Sequence, residues 1–289
     1  MSLDSTSATA LPALVRRLLE EHFAGDVNLP VLPDTAMQVM ALCRSEKCDA
    51  QLLSDRIRRD QALAGHVLRV ANSSAYAPKE PIVSLRQAVS RLGISTVQEI
   101  AIAVSLNGRV FNAPGWQVRI RDLWMHSAAA AVYAKEVARF LRFNVESAFM
   151  CGLLHDIGRP VVLQALLDIA KRRTDLPVPQ KIAEAAMDEF HERVGAMVIR
   201  RWKLASWLIE TTANHHRYPA ESLNIEHIDD LRVTVLADAL SHWALDEEAT
   251  KDDFPTEHPV LQDLDIYADD LVELLDMRKR VLEVAESFI

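Results

Sequence analysis

Apolar positions recur along this chain with the period of a helix, and no stretch sustains the alternation of a strand. Leu11, Leu14, Val15, Leu18 and Leu19 make one stripe; Leu85, Ala88, Val89 and Leu92 make another at i, i+3, i+4 and i+7. The second stripe carries its own boundaries. Ser84 and Gln87 form a capping box whose side-chain oxygens can reach the unpaired N–H groups of a first turn, and Gly93 suits the left-handed position that ends a helix. Ser95 and Gln98 repeat the box and predict a following helix through Leu106. A last amphipathic helix is predicted from about Ala268, with Leu271, Leu274, Leu275, Val281 and Leu282 on its apolar side.

Two breaks interrupt this pattern. NGRVFNAPGW, residues 107–116, holds two glycines and a proline and reads as a loop between lobes. RRTDLPVPQK, residues 172–181, reads as a second break, with Pro177 and Pro179 ending the helix before it. Beyond Asp238 the chain turns acidic and irregular through DEEATKDDFPTEHP. The fold class is therefore all-α. No repeat, heptad series, glycine-rich phosphate loop or Gly-x-Ser-x-Gly elbow is present, which removes the common nucleotide-triphosphate and serine-hydrolase readings.

Composition narrows the function classes. With 289 residues, 49% of them apolar, the chain has ample material for a core. No apolar run is long enough to span a bilayer, since the alanine-rich stretch after His126 is interrupted by Lys135, Glu136 and Arg139. The start MSLDSTSATA is small and polar, unlike a secretion signal, so a leader and a cytoplasmic location without membrane contact are expected. A net charge of −9 disfavours generic nucleic-acid binding. Three cysteines cannot all pair, and Cys43 and Cys48 lack the second pair of a zinc site. Cys151, four residues before His155, reads as a buried thiol.

The chemistry concentrates in an ordered series of imidazoles and carboxylates: His126, His155-Asp156 in GLLHDIGR, His191, His215-His216 in NHHRYP, and Asp238. Taken singly, each is more simply a core or surface residue. Asp238 is the most telling, because a carboxylate in the apolar run VLADAL needs a cation or a donor nearby. Jointly they form a mixed nitrogen and oxygen ligand set that suits iron, manganese or zinc, as one or two ions. Adjacent ligands on a helix splay by about 100°, and a carboxylate can bridge two ions, so Asp156 is the natural centre of a dinuclear site. Asp122, one turn before His126, is a weaker candidate, and an exposed helix-start aspartate is its plainer reading. His22, His66, His227, His242 and His258 fall outside the series.

At these residues the chain resembles the HD superfamily of metal-dependent phosphohydrolases, with His126, His155, Asp156 and Asp238 in the positions of its ligands. His191, His215 and His216 resemble the fuller ligand set of the dinuclear HD-GYP branch. Upstream, LPVLPDTAMQVMAL, IRRDQALAGHVLRVANSSAYA and SLRQAVSRLGI look like the HDOD family, the HD-related output domain of bacterial signalling proteins. The resemblance covers about residues 29–219. It implies a multi-helical fold with an N-terminal lobe at 28–112 and an HD-like metal-binding lobe at 118–245, after a leader and first helix at 1–27 and before an acidic segment and C-terminal helix at 246–289.

Two departures bear on activity. Arg159 stands where catalytic relatives commonly have lysine; it keeps the charge and could grip a phosphate. Arg217-Tyr218-Pro219 follows the histidine pair directly, without the longer glycine-rich GYP loop. The resemblance thus implies a regulatory protein that holds metal and meets signalling proteins. A metal-dependent phosphohydrolase or phosphodiesterase acting on a nucleotide-type phosphate ester is the alternative, with a phosphate-containing small molecule as its ligand. A metal-free interaction scaffold is the third reading. Tyr76, after the polar turn Asn72-Ser73-Ser74, is a candidate partner surface or a residue packed between the lobes, and the C-terminal helix is a candidate for homo-oligomer contact or for docking on the body.

Overall fold

The computed structural model describes residues 10–25, 29–43, 48–74, 76, 78–110, 113–173, 176–219 and 226–288. All regular structure among them is helical. The leader at 1–9 and Ala75 of the Tyr76 turn lie outside the described residues. Among the described residues no single helix is long and apolar enough to cross a membrane.

The first helix, α1 (Ala13–Ala24), buries Val15, Leu19 and Phe23. Leu14, expected on the same stripe, is 40% exposed, because the buried face follows i, i+4, i+8 and leaves Leu14 beside it. Although first in sequence, α1 packs on the C-terminal half of the molecule: Arg16 pairs with Glu189, and the Phe23 and Phe190 rings lie 6.4 Å apart.

The N-terminal lobe comprises α2 (Asp34–Cys43), α3 (Ala50–Ile57), α4 (Gln61–Ala71), α5 (Leu85–Leu92) and α6 (Ile94–Val110). Asp49 and Asp60 cap α3 and α4 by accepting from Leu52 and Leu63 N–H. At α5 the Ser84 hydroxyl accepts from Gln87 N–H as predicted, while the Gln87 amide oxygen accepts from Val83 rather than from Ser84. Gly93 takes φ +85° and turns the chain at once into α6. The second predicted box does not form. The helix starts two residues earlier, at Ile94 rather than Thr96, and the Ser95 hydroxyl donates instead to Glu146, 2.5 Å away, on the other lobe. The predicted loop at 107–116 is also shorter, because α6 continues to Val110; packing of α6 on α2 and α4 outweighs the weak helix propensity of Asn107 and Gly108.

The HD-like lobe is built on α7 (Gln117–Leu141), with α8 (Val145–Leu154), α9 (Gly158–Arg172), α10 (Gln180–Arg201), α11 (Ser206–Asn214) and α12 (Ile228–Leu245) around it. The break with Pro177 and Pro179 separates α9 from α10 as predicted. Small residues set how closely these helices approach. Ala128, Ala129, Ala130, Ala131, Ala134 and Ala138 of α7 are all buried, and a Cβ on Gly152 of α8 would come within 2.6 Å of the Ala130 carbonyl oxygen. At the start of α9 a Cβ on Gly158 would stand 2.0 Å from the His191 carbonyl oxygen and 2.7 Å from Gly195 N, so α9 and α10 touch backbone to backbone.

The last segment holds a 3-10 turn (Lys251–Asp253), α13 (Pro259–Asp263), α14 (Ala268–Asp276) and α15 (Arg278–Ser287). The single terminal helix expected from Ala268 is thus two, broken at Met277. Their apolar side chains Leu271, Leu274, Leu275 and Val281 are buried against the same chain, chiefly on α7 and, through α15, on α4. Most of the apolar face offered for a second subunit is therefore covered by the chain itself, with Leu282 left half-buried. Tyr76 is half-buried and lines a cavity between the two lobes and α15 rather than standing on the outer surface, because α15 closes over it.

Candidate metal centre

The predicted ligands come from both helix interiors and helix ends. His126 projects from within α7, His191 from within α10 and Asp238 from within α12; His155 caps α8, Asp156 follows in the turn before α9, and His215 caps α11. They converge in two groups: His126, His155 and Asp238 in one, and Asp156, His191, His215 and His216 in the other.

Asp156 joins them. Its Oδ1 lies 3.4 Å from His191 Nε2 and 3.5 Å from His215 Nε2, while its Oδ2 lies 3.8 Å from both His126 Nε2 and His155 Nε2. Asp238 Oδ1 lies 3.0 Å from His126 Nε2 and 3.5 Å from His155 Nε2.

The imidazoles are held by their other nitrogen. His155, His191 and His215 place Nδ1 at 2.8, 2.9 and 3.0 Å from the carbonyls of Gly152, Met187 and Thr212, each one turn back on its own helix. His126 Nδ1 donates over 3.1 Å to the Ser241 hydroxyl, whose own proton goes to the Asp238 carbonyl. Carbonyls accept, so Nδ1 carries the proton and the Nε2 lone pair faces inward. Two such pairs then stand lone pair to lone pair: His126 and His155 Nε2 at 3.2 Å, His191 and His215 Nε2 at 3.3 Å. Asp156 Oδ1 and Asp238 Oδ1 are buried without a hydrogen-bond partner. Converging lone pairs and orphaned carboxylate oxygens in a covered pocket call for a positive charge between them. The donor set therefore fits divalent metal.

The electrostatics agree. Burial drives the pKa of His126 down to about 4, of His191 to about 3 and of His216 to about 4. His155 goes the other way: burial opposes it, but the carboxylates of Asp156 and Asp238 push it up to about 9. Without a metal cation a second proton, on His155 Nε2, takes its place in the first group, and it is the neutral ring that offers its Nε2 lone pair beside that of His126. Burial works against the charge on Asp156 and Asp238, yet the Arg159 guanidinium and the imidazoles of His155, His215 and His191 hold Asp156, and those of His126 and His155 hold Asp238, well below the usual carboxylate range.

The remaining candidates stand at the margin. Arg159 Nε donates to Asp156 Oδ2 and Nη1 to Asp188 Oδ1, both at 2.6 Å. His216 stands at the rim, exposed as a residue but with its ring packed against those of His191 and His215, and with its backbone N–H on Glu192. Asp122 is exposed and its carboxylate is not among the gathered ligand atoms. Cys151 is buried, and burial pushes its thiol pKa up, as expected for a structural thiol. Two residues outside the predicted series enter the site. His242 Nε2 lies 3.4 Å from Asp238 Oδ1, with its ring 4.3 Å from that of His126, and Ser241 orients His126. Their offsets of four and three from Asp238 put both one turn along the same helix, which is the signal that could have found them.

A family model for the HDOD domain matches residues 29–218. The chain belongs to the HDOD family. This HDOD protein is 23% identical over 199 residues to an uncharacterized protein of Treponema pallidum (strain Nichols), covering 66% of the present chain and 38% of the other, so it spans well under half of that relative's length. Solved structures share its fold. A candidate metal-dependent phosphohydrolase from Shewanella amazonensis SB2B superposes with a TM-score of 0.71 at 20% identity, over 96% of this chain and 98% of that one. An HDOD domain protein of unknown function from Geobacter sulfurreducens gives 0.67 at 22% identity over 94% and 96%. A candidate signal transduction protein from Marinobacter aquaeolei VT8 gives 0.66 at 20% identity over 96% and 66%.

Proposed function

We propose that this HDOD protein is a bacterial signal-transduction module whose HD-like lobe holds one or two divalent iron, manganese or zinc ions for structure or sensing, and which meets its signalling partners through protein contact. The observation that carries the metal reading is the bridging position of Asp156 between two sets of imidazoles whose Nε2 lone pairs face one another. His126, His155 and Asp238 would hold one ion, and His191, His215 and His216 the other, with Asp156 common to both. A bound ion supplies Lewis acidity and the positive charge that the carboxylates need.

Within this arrangement Arg159 acts as a positioning residue, since its guanidinium fixes the Asp156 carboxylate. Hydrolysis of a phosphate ester is the second reading, favoured by the two complete ligand groups and by the exposed rim of His216 and His242. In that reading Arg159 would leave Asp188, whose side chain is 64% exposed, to take a phosphate oxygen. Only the Asp188 side of that pair is exposed, so the guanidinium could exchange Asp188 for a phosphate oxygen while keeping its bond to Asp156.

Elemental analysis of untagged protein, reloaded anaerobically with manganese, ferrous iron or zinc, tests the metal reading. About one to two equivalents are expected for the native chain, and Asp156→Asn should lose them. Native protein that stays metal-free, or an Asp156→Asn variant that loads normally, sinks it. The reloaded protein should turn over cyclic dinucleotides and mononucleotides little or not at all; robust hydrolysis abolished by Asp156→Asn would instead establish the second reading.

A further inference from the structure

A cavity of about 200 Å³ lies where the N-terminal lobe, the HD-like lobe and α15 meet. Its floor is aromatic and aliphatic: Phe149 and Phe288 contact edge to face at 6.2 Å, and Val284 stands beside them. Its charged groups nearly cancel. Lys135 Nζ pairs with Glu99 Oε2 at 2.5 Å across the lobe boundary, and Arg139 pairs with Glu136. Arg280, on α15, has no ion-pair partner among the described residues, which leaves one net positive charge at the mouth. Inside, Glu99 is only 6% exposed, and its Oε1 is buried with no hydrogen-bond partner. A buried acceptor without a donor is destabilising and is seldom left so without reason.

We propose that this cavity is a binding site for a small organic monoanion: a carboxylate with a short apolar body and one hydroxyl or N–H donor, as in a 2-hydroxy acid. The carboxylate would meet Arg280, the apolar body would lie on Phe149, Phe288 and Val284, and the donor would satisfy Glu99 Oε1. The Arg280 guanidinium, exposed and without an ion-pair partner among the described residues, can take one negative charge, and the orphaned Glu99 Oε1 can take one neutral donor. Tyr76 closes the side that faces the N-terminal lobe. A ligand held there touches both lobes and the C-terminal helix together, so binding favours one arrangement of the three. The cavity shares no residue with the metal centre, so its failure leaves the metal reading untouched.

Calorimetry and saturation-transfer NMR on the full chain test this with 2-hydroxyisovalerate as probe, against isovalerate, which lacks the hydroxyl, and 2-hydroxyisovaleramide, which lacks the charge. The hydroxy acid should bind at millimolar concentration or better, and each control should bind at least about tenfold more weakly. Arg280 is exposed, so Arg280→Ala should keep the fold and metal content while weakening the hydroxy acid by about tenfold or more. Val284→Phe, which fills the cavity, should abolish binding. Absence of binding at millimolar concentration overturns the proposal. So does binding that survives Val284→Phe but not Arg280→Ala, because that pattern marks an anion on a surface arginine.

Discussion

Asp156 shows how much one residue's surroundings decide. The same carboxylate faces two sets of imidazoles through different oxygens and is gripped by Arg159 through one of them. Its neighbours depend in turn on groups that hold them from behind. Ser241 holds the His126 ring by accepting the Nδ1 proton, and such supporting hydrogen bonds around a metal ligand typically govern affinity by about 10–100-fold. Ser241→Ala should therefore lower metal affinity by about that factor, measured by competition with a chelating dye, while the secondary structure is unchanged. Unaltered affinity would show that packing alone orients His126.

Among the elements, helix contacts made without side chains bring the ligands together. His155 and Asp156 reach His191 because α9 begins on a glycine that lies against the α10 backbone. Gly158→Ala would place a methyl group 2.0 Å from the His191 carbonyl oxygen, a clash with backbone that no rotamer relieves. The expected loss is about 3 kcal/mol, the upper end for overpacking, read as a lower midpoint in urea denaturation. The displaced α10 should also carry His191 away and reduce metal content. A Gly158→Ala variant with native stability would mean that the two helices can slide apart freely.

For the whole molecule, α15 ties the lobes together, and one histidine contributes to its seat. His66 of α4 is buried and bonds through Nε2 to the Ser287 carbonyl at 2.9 Å. Burial, with Arg69 nearby, lowers its pKa from the ordinary value, against the raising effect of that hydrogen bond. A lowered folded pKa means that the neutral form's stabilisation is fully present above the unfolded value of about 6.5 and is lost as pH falls through the folded value. His66→Gln keeps a donor for Ser287 without a titrating charge. The melting temperatures of native and His66→Gln proteins should run parallel above pH about 7 and diverge below pH about 6, with the native chain falling faster. Parallel curves down to pH about 5 would exclude His66 as a source of acid sensitivity.

The helical class, the two proline and glycine breaks, and most of the histidines and aspartates that gather in the two groups were legible in residue order, because helix periodicity, capping and side-chain chemistry are local properties. So was the central position of Asp156 between them, since a carboxylate has two oxygens to present and an imidazole a single inward nitrogen. Tertiary structure decided the rest. It left Asp122 in solvent, drew His242 and Ser241 into the site, and engaged Arg159 with two carboxylates. It also folded α1 onto the distant half of the chain, turned the terminal helix into two, and closed Tyr76 under α15. Each of these depends on which surfaces meet at long separation in sequence, where backbone contact at glycine and burial of an apolar face outweigh the local preferences that a linear pattern records.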